Sequence, residues 1–238
     1  MSCDNITVSD LEIMASAQNY RNWMFRQIAP YIGQRILEVG CGIGNFTTLL
    51  MDREFVAATD VYSPCVDYMK ARVGGGMKVV PIELDISDPA ALELAKYEFD
   101  TVICLNVLEH IEDDLRALSH MQSVLRPGGR LVLLVPAFQF LYGTVDESLD
   151  HYRRYTRKTL LPKMRAAGFD IERSFYMNVI GMTGWFLNNR VLKRREENRD
   201  QIEMFDRYIA PVAERIEKMF SPPFGLSLIA IGQKGFGD

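Results

Sequence analysis

Period, more than composition, limits what this chain can fold into. Along most of its length, short runs that are apolar nearly throughout alternate with stretches in which apolar residues recur every three or four positions. The short runs are RILEV (35–39), FVAAT (55–59), MKVVPIEL (77–84), FDTVICL (99–105) and RLVLLV (130–135). Between them NFTTLLMD (45–52), CVDYMKARV (65–73, ended by Gly74-Gly75-Gly76) and PAALELAKY (89–97) read as helices. A longer helix is expected from Val107 to Leu125, stopped by Pro127-Gly128-Gly129. A strand apolar on both faces has to be covered on both faces. The alternation therefore predicts an α/β fold, a mostly parallel sheet with helices packed on either side.

The flanks extend this pattern. From Ser9, spaced from Glu12 as in a capping box, a helix is expected whose one face carries Tyr20, Trp23, Met24 and Ile28. After Pro136 the regularity gives way to a loop over 137–155, rich in aromatic and charged groups. A helix over 156–168, a strand over 169–177, a helical insertion over 178–221 and a strand over 224–234 follow. One domain is expected, divided into an N-terminal helix region (1–33), a ligand-binding core (34–177), the insertion (178–221) and a final strand region (222–238).

Composition narrows the partners. Of 238 residues, 48% are hydrophobic, enough for one sizeable core. A net charge of −4 provides no basic field, so no nucleic acid is expected as partner. Cys3, Cys41, Cys65 and Cys104 show no paired spacing, which argues against disulfides or a zinc site and for a reducing compartment. The N-terminus has neither the basic start nor the apolar core of a signal peptide, and the longest apolar run, LVLLVPAF (131–138), is too short to span a bilayer. The expectation is a cytoplasmic protein with no membrane span.

The loop after the first strand is Gly40-Cys41-Gly42-Ile43-Gly44-Asn45. Its spacing is G-x-G-x-G, and Asn45 stands where a dinucleotide fingerprint wants its last glycine. The loop contains no Lys or Arg to meet phosphate, and Glu38 puts a carboxylate beside it. Asp60 ends the second strand, where a ribose diol would donate to one ionised group, and Asp85 follows the third strand, where it could accept from an adenine amino group. A ligand with an amino-acid end, a ribose, an adenine and no phosphate fits this set. The plainer readings are a tight turn for Gly42 and Gly44, a helix cap for Asp60, and, beside Asp85, caps of the following helix at Ser87 and Asp88.

With E-V-G-C-G-I-G-N, the two acidic stations and N-V-L-E-H-I-E-D-D (106–114) in order, the chain resembles the class I S-adenosylmethionine-dependent methyltransferases over about residues 20–234. The resemblance implies a Rossmann-like sheet of seven strands with the last antiparallel, an N-terminal lid helix, and S-adenosylmethionine as cofactor. By position, Gly40, Gly42 and Gly44 would let the backbone approach the cofactor, and Glu38 would orient its amino group. Asp60 would bind the ribose with Val61 beside the adenine, Asp85 and Ile86 would frame the base, and Leu105 and Asn106 would meet the methionyl part. Tyr20 and Trp23 resemble the lid, with core packing as the alternative. His151, with Tyr152 beside it, is the candidate for proton removal. For Glu109 and His110 a structural role at a helix start is expected. The histidines 110, 120 and 151 have no ligand spacing, so no metal is expected. The implied activity is methyl transfer to oxygen or nitrogen of a small, partly apolar acceptor. Cyclisation or aminopropyl transfer with the same cofactor, nicotinamide-dependent oxidoreduction and non-catalytic cofactor binding are the rivals.

Overall fold

The computed structural model describes residues 15–73, 78–192 and 199–236. The helix start expected at Ser9 and Glu12, the stop at Gly74-Gly75-Gly76, and Cys3 lie outside them. Among the described residues seven strands form one sheet: β1 (Arg35–Val39), β2 (Phe55–Asp60), β3 (Val79–Glu83), β4 (Phe99–Leu105), β5 (Leu125–Pro136), β6 (Phe169–Met177) and β7 (Ser227–Lys234). Their order is β3-β2-β1-β4-β5-β7-β6. Pairs among β1 to β5 are parallel, while β7 lies antiparallel between β5 and β6. The chain runs outward from β1 to β3 and then returns to place β4 on the other side of β1. That reversal opens a crevice outside the carboxyl ends of β1 and β4, where open α/β sheets bind ligands.

The helices are α1 (Gln18–Ile28), α2 (Ser63–Val73), α3 (Asp114–Val124), α4 (Thr144–Ser148), α5 (Arg157–Ala166), α6 (Val179–Phe186), α7 (Arg199–Met204) and α8 (Ala210–Glu217). Successive strand side chains point to opposite faces, and the core divides accordingly. Leu37, Val102, Cys104 and Leu133 face the layer that includes Leu118 and Met121 of α3 and Leu160 of α5. Ile36, Ile103, Val132 and Ile231 face Trp23, Met24 and Ile28 of α1 and Ala213 of α8. No helix among the described residues is long and apolar enough to cross a membrane.

Four expectations are corrected. Residues 45–52 form no α-helix; only Thr47–Leu49 makes a 3₁₀ turn, because the Thr47 hydroxyl is drawn to Glu38 and that of Thr48 to the Asn45 carbonyl. The helix over 89–97 is 3₁₀ throughout, capped by Asp88 and ended by Glu98 in the left-handed region. The long helix over 107–125 is broken: Leu108–His110 is a 3₁₀ turn, and α3 begins only where Asp113 caps the Arg116 amide at 3.1 Å. Leu125 already belongs to β5, whose register against β4 shifts between Phe99 and Thr101, opposite the segment that holds Pro127-Gly128-Gly129.

The insertion between β6 and β7 comprises α6, a π turn at Leu187–Val191, α7, a second π turn at Phe205–Ile209, and α8 with Pro211 in its first turn. It grips α1. Asp206 accepts from the Asn19 backbone amide at 3.2 Å and the Tyr20 amide at 2.8 Å, and Glu214 accepts from Nε and Nη2 along one edge of the Arg26 guanidinium, at 2.7 and 2.6 Å.

Candidate active site

The glycine loop hangs from β2. Amides of Gly40 and Cys41 both donate to the Thr59 carbonyl, at 2.8 and 2.9 Å. Gly40, Gly42 and Gly44 have φ of 74°, 52° and 82°, the left-handed region that only glycine enters freely. A Cβ at Gly40 would run into the side chain of Val107, and one at Gly44 into the sulfur of Met69. Cys41 is buried, and burial, followed by the nearby charges of Glu38 and Asp60, pushes its thiol well above its ordinary range.

Carboxylates frame the loop as the sequence predicts. Asp60 accepts from the Gly42 amide at 2.8 Å and from the Tyr62 amide at 3.0 Å, so it fixes the loop while keeping further lone pairs. Glu38 is 3% exposed and accepts from the Thr47 hydroxyl at 2.6 Å. Burial drives its pKa up to about 7, against the Thr47 hydrogen bond and with the help of Asp60's charge. Val61 is 67% exposed beside Asp60, an apolar surface at the end of β2.

Asp85 is exposed and accepts from the Ser87 amide at 2.7 Å, while Asp88 takes the cap. Ile86 is buried, its carbonyl 2.8 Å from His120 Nδ1. Leu105 is half-buried, and Asn106 is exposed at φ 53° with its amide on the Leu134 carbonyl. The sheet thus gathers the glycine loop, Glu38, Asp60, Val61, Asp85, Leu105 and Asn106 at the carboxyl ends of its strands.

Trp23 is 1% exposed and belongs to the core. Tyr20 sits edge-on to Trp23 and to Phe205, at 5.9 and 6.0 Å between ring centroids. Packing, the alternative weighed for both residues, is what their surroundings display. Two cations near the loop escaped sequence reading. Arg72, from α2, donates to the Ile43 carbonyl at 3.5 Å. Arg21, from α1, is pulled below its usual pKa by burial first and by Arg72 second, and its buried Nε has no partner among the described residues.

A second polar cluster lies beyond the ends of β4 and β5. Its centre is Asp146, fully buried, which accepts from His151 Nδ1 at 2.9 Å, Arg154 Nε at 2.7 Å, Asn189 Nδ2 at 2.9 Å and the Gly143 amide at 3.0 Å. Burial opposes its charge, but the bonds from His151, Arg154 and Asn189 outweigh burial and hold its pKa below the carboxylate range. The Arg154 guanidinium lies under the Trp185 ring at 4.7 Å. His151 meets His110 edge to face, 4.5 Å between centroids. Glu109 is 1% exposed, and neither of its carboxylate oxygens has a partner among the described residues. Burial raises its pKa to about 8. Glu109 does stand in the first turn of a helix, the short 3₁₀ turn Leu108–His110, but with its carboxylate buried there. Tyr152 donates its amide to the Glu109 carbonyl, yet its side chain is 53% exposed with Arg153 over the ring.

Comparison with known proteins adds the family. Residues 18–174 match the family described as "Methyltransferase domain". A tRNA N(3)-methylcytidine methyltransferase of Schizosaccharomyces pombe is 32% identical over 125 residues, 47% of this chain and 50% of that protein. The chain spans about half the length, or less, of the first curated relatives it matches. Among solved structures, the [4+2]-cyclase SpnF superposes with a TM-score of 0.58 at 20% identity, over 90% of this chain and 81% of that one. The N-methyltransferase NodS of Bradyrhizobium japonicum WM9, solved with S-adenosyl-l-homocysteine, gives 0.56 at 15% identity, over 91% and 86%. At such identities the two structures attest the fold.

Proposed function

The chain belongs to the methyltransferase-domain family, and from that premise we propose that it is an S-adenosylmethionine-dependent enzyme that methylates an oxygen or nitrogen of a small, partly apolar acceptor. When bound, the cofactor supplies a sulfonium methyl group as electrophile. The chain's residues suit that ligand. Asp60 keeps lone pairs for two ribose hydroxyls, and Val61 offers an apolar surface to the adenine. Asp85 is free to accept from the base, and Leu105 and Asn106 border the methionyl part. Glu38 matches an ammonium. The Nε of Arg21, without a partner among the described residues, and the nearby Arg72 match a carboxylate, so both ends of an amino acid are answered.

On the acceptor side, His151 has Nδ1 committed to Asp146, which leaves Nε2 to receive a proton. The buried Asp146–Arg154–Asn189 network holds that ring still, and such positioning can supply roughly 7–11 kcal/mol of barrier lowering. The observation that carries the reading is the carboxylate-pinned glycine loop at the sheet's reversal, with Glu38 buried under it. Asp60→Ala is expected to weaken S-adenosylhomocysteine binding at least about tenfold by calorimetry. Unchanged affinity would remove Asp60 from the ribose site.

Two observations keep other readings in view. A [4+2]-cyclase shares the fold, so conversion of an acceptor without consumption of S-adenosylmethionine would replace methyl transfer; so would release of methylthioadenosine, the mark of attack on another sulfonium carbon, or tight cofactor binding without turnover across an acceptor panel. One relative is named for tRNA, but a net charge of −4 favours a small molecule over a polyanion. A cytoplasmic location is part of the same reading.

A further inference from the structure

Glu109, His110 and His151 come together only in the fold. Each offers one ligand atom, and the three atoms lie within 4.8 Å of one another. Ligand atoms on a shared tetrahedral or octahedral ion stand about 3–3.5 Å apart, so a small closing movement of the side chains brings these three onto one centre. We propose that Glu109, His110 and His151 form a binding site for one divalent first-row transition-metal ion, with open coordination positions facing the acceptor side of the cleft.

Three further observations point the same way. Glu109 is 1% exposed and has no donor for either oxygen among the described residues, a state that proteins avoid unless a cation or bound donor completes it. Arg154, the buried cation nearby, gives its Nε to Asp146 at 2.7 Å. His151 shows the arrangement typical of a metal-ligating imidazole: Nδ1 pairs with a carboxylate, which sets the tautomer and points Nε2 away from Asp146. That carboxylate is itself held by Asn189 and the Gly143 amide, so the ring is oriented before any ion arrives. Finally, exposure rises from buried Glu109 through half-buried His151 to exposed His110, which leaves a path for an ion from solvent. Two imidazoles and one carboxylate suit zinc, iron(II), cobalt(II) or manganese(II) better than calcium or magnesium.

The site stands on geometry alone; what it does rests on the methyl-transfer reading. The cluster follows β4 by a few residues, and Val107, two residues before Glu109, packs against Gly40 of the cofactor loop. An acceptor hydroxyl bound to the ion through oxygen would release its proton to water more readily than a free one. With the ion in place, His151 Nε2 is a ligand, and the ion takes over the task of making the oxygen nucleophilic.

The test uses the tag-free full chain, stripped with a chelator and titrated with Co²⁺ while visible d–d absorption and heat are followed. Wild type is expected to bind one Co²⁺ per chain with bands of a low-coordinate, nitrogen-ligated ion. Glu109→Gln, His110→Ala and His151→Asn should each weaken binding at least about tenfold. Far-UV circular dichroism, recorded in parallel, reports whether each variant is folded, and S-adenosylhomocysteine affinity is measured separately. No saturable binding by wild type overturns the site, as does His110→Ala and any folded Glu109→Gln binding Co²⁺ like wild type. If Co²⁺ binds as expected and S-adenosylhomocysteine does not, the functional reading falls and the metal site stands.

Discussion

Glu38 is a buried carboxyl whose pKa is lifted from 4.5 to about 7, chiefly by burial. Its contribution to stability is therefore full below about pH 4.5 and is lost as pH rises through about 7. A shift of that size is worth up to about 3 kcal/mol. Glu38→Gln keeps an acceptor for Thr47 and does not ionise, so urea denaturation should find wild type losing stability between pH 5 and 8 while the variant stays flat. A cofactor ammonium beside Glu38 should restore the ionised form. Binding of S-adenosylhomocysteine near pH 6.5 is then expected to release protons, seen by calorimetry in buffers of differing ionisation heat, and in Glu38→Gln that release should vanish. The glycine-loop half of the candidate site was legible because its glycines and acids follow one another at strand ends, each in register with the alternation. The other half was not. Asp146, Asn189, His151 and Glu109 meet across loops, with Asn189 binding residues 43 and 48 positions away, and no spacing encodes that.

Elements show the same division. β4 and β6 occupy the spans read from sequence: β4, buried along almost its whole length, prints that length as an apolar run, while β6, an edge strand with Asp170, Glu172 and Arg173 exposed, is bounded by Gly168 and Asn178 in the left-handed region. Helix type was less legible, since a 3₁₀ turn and an α turn place apolar residues at nearly the same intervals. The pairing of α1 with the insertion was invisible as well. Ala17 precedes α1 and offers no side-chain cap. The orphan amides of the first turn are met instead by Asp206, which belongs to the second π turn and is nearly buried. Asp206→Ala should cost about 1–2 kcal/mol, the range for a lost cap. Hydrogen exchange is expected to show α1 amides opening faster in that variant while β1 and β4 remain protected; unaltered exchange in α1 would sever the proposed dependence.

For the whole molecule, the antiparallel placement of β7 between β5 and β6 has a large effect. It lets a helical insertion leave the sheet after β6 and return at β7, so that α8 packs with α1 on one face while Asn189 reaches the Asp146 cluster. Cofactor binding should therefore stabilise the protein as a unit. At one hundred times its dissociation constant, S-adenosylhomocysteine is expected to add about 2.7 kcal/mol, visible as a single displaced thermal transition. A transition that split in two would separate the insertion from the core.

Cys41 sits in the middle of the glycine loop with its sulfur turned inward and its thiol held protonated. A buried thiol is inert toward alkylating reagents until the backbone around it opens. The loop therefore carries its own chemical clock: the rate at which iodoacetamide marks the Cys41 peptide, followed by mass spectrometry, counts the openings of the cradle. Saturating S-adenosylhomocysteine should slow that clock.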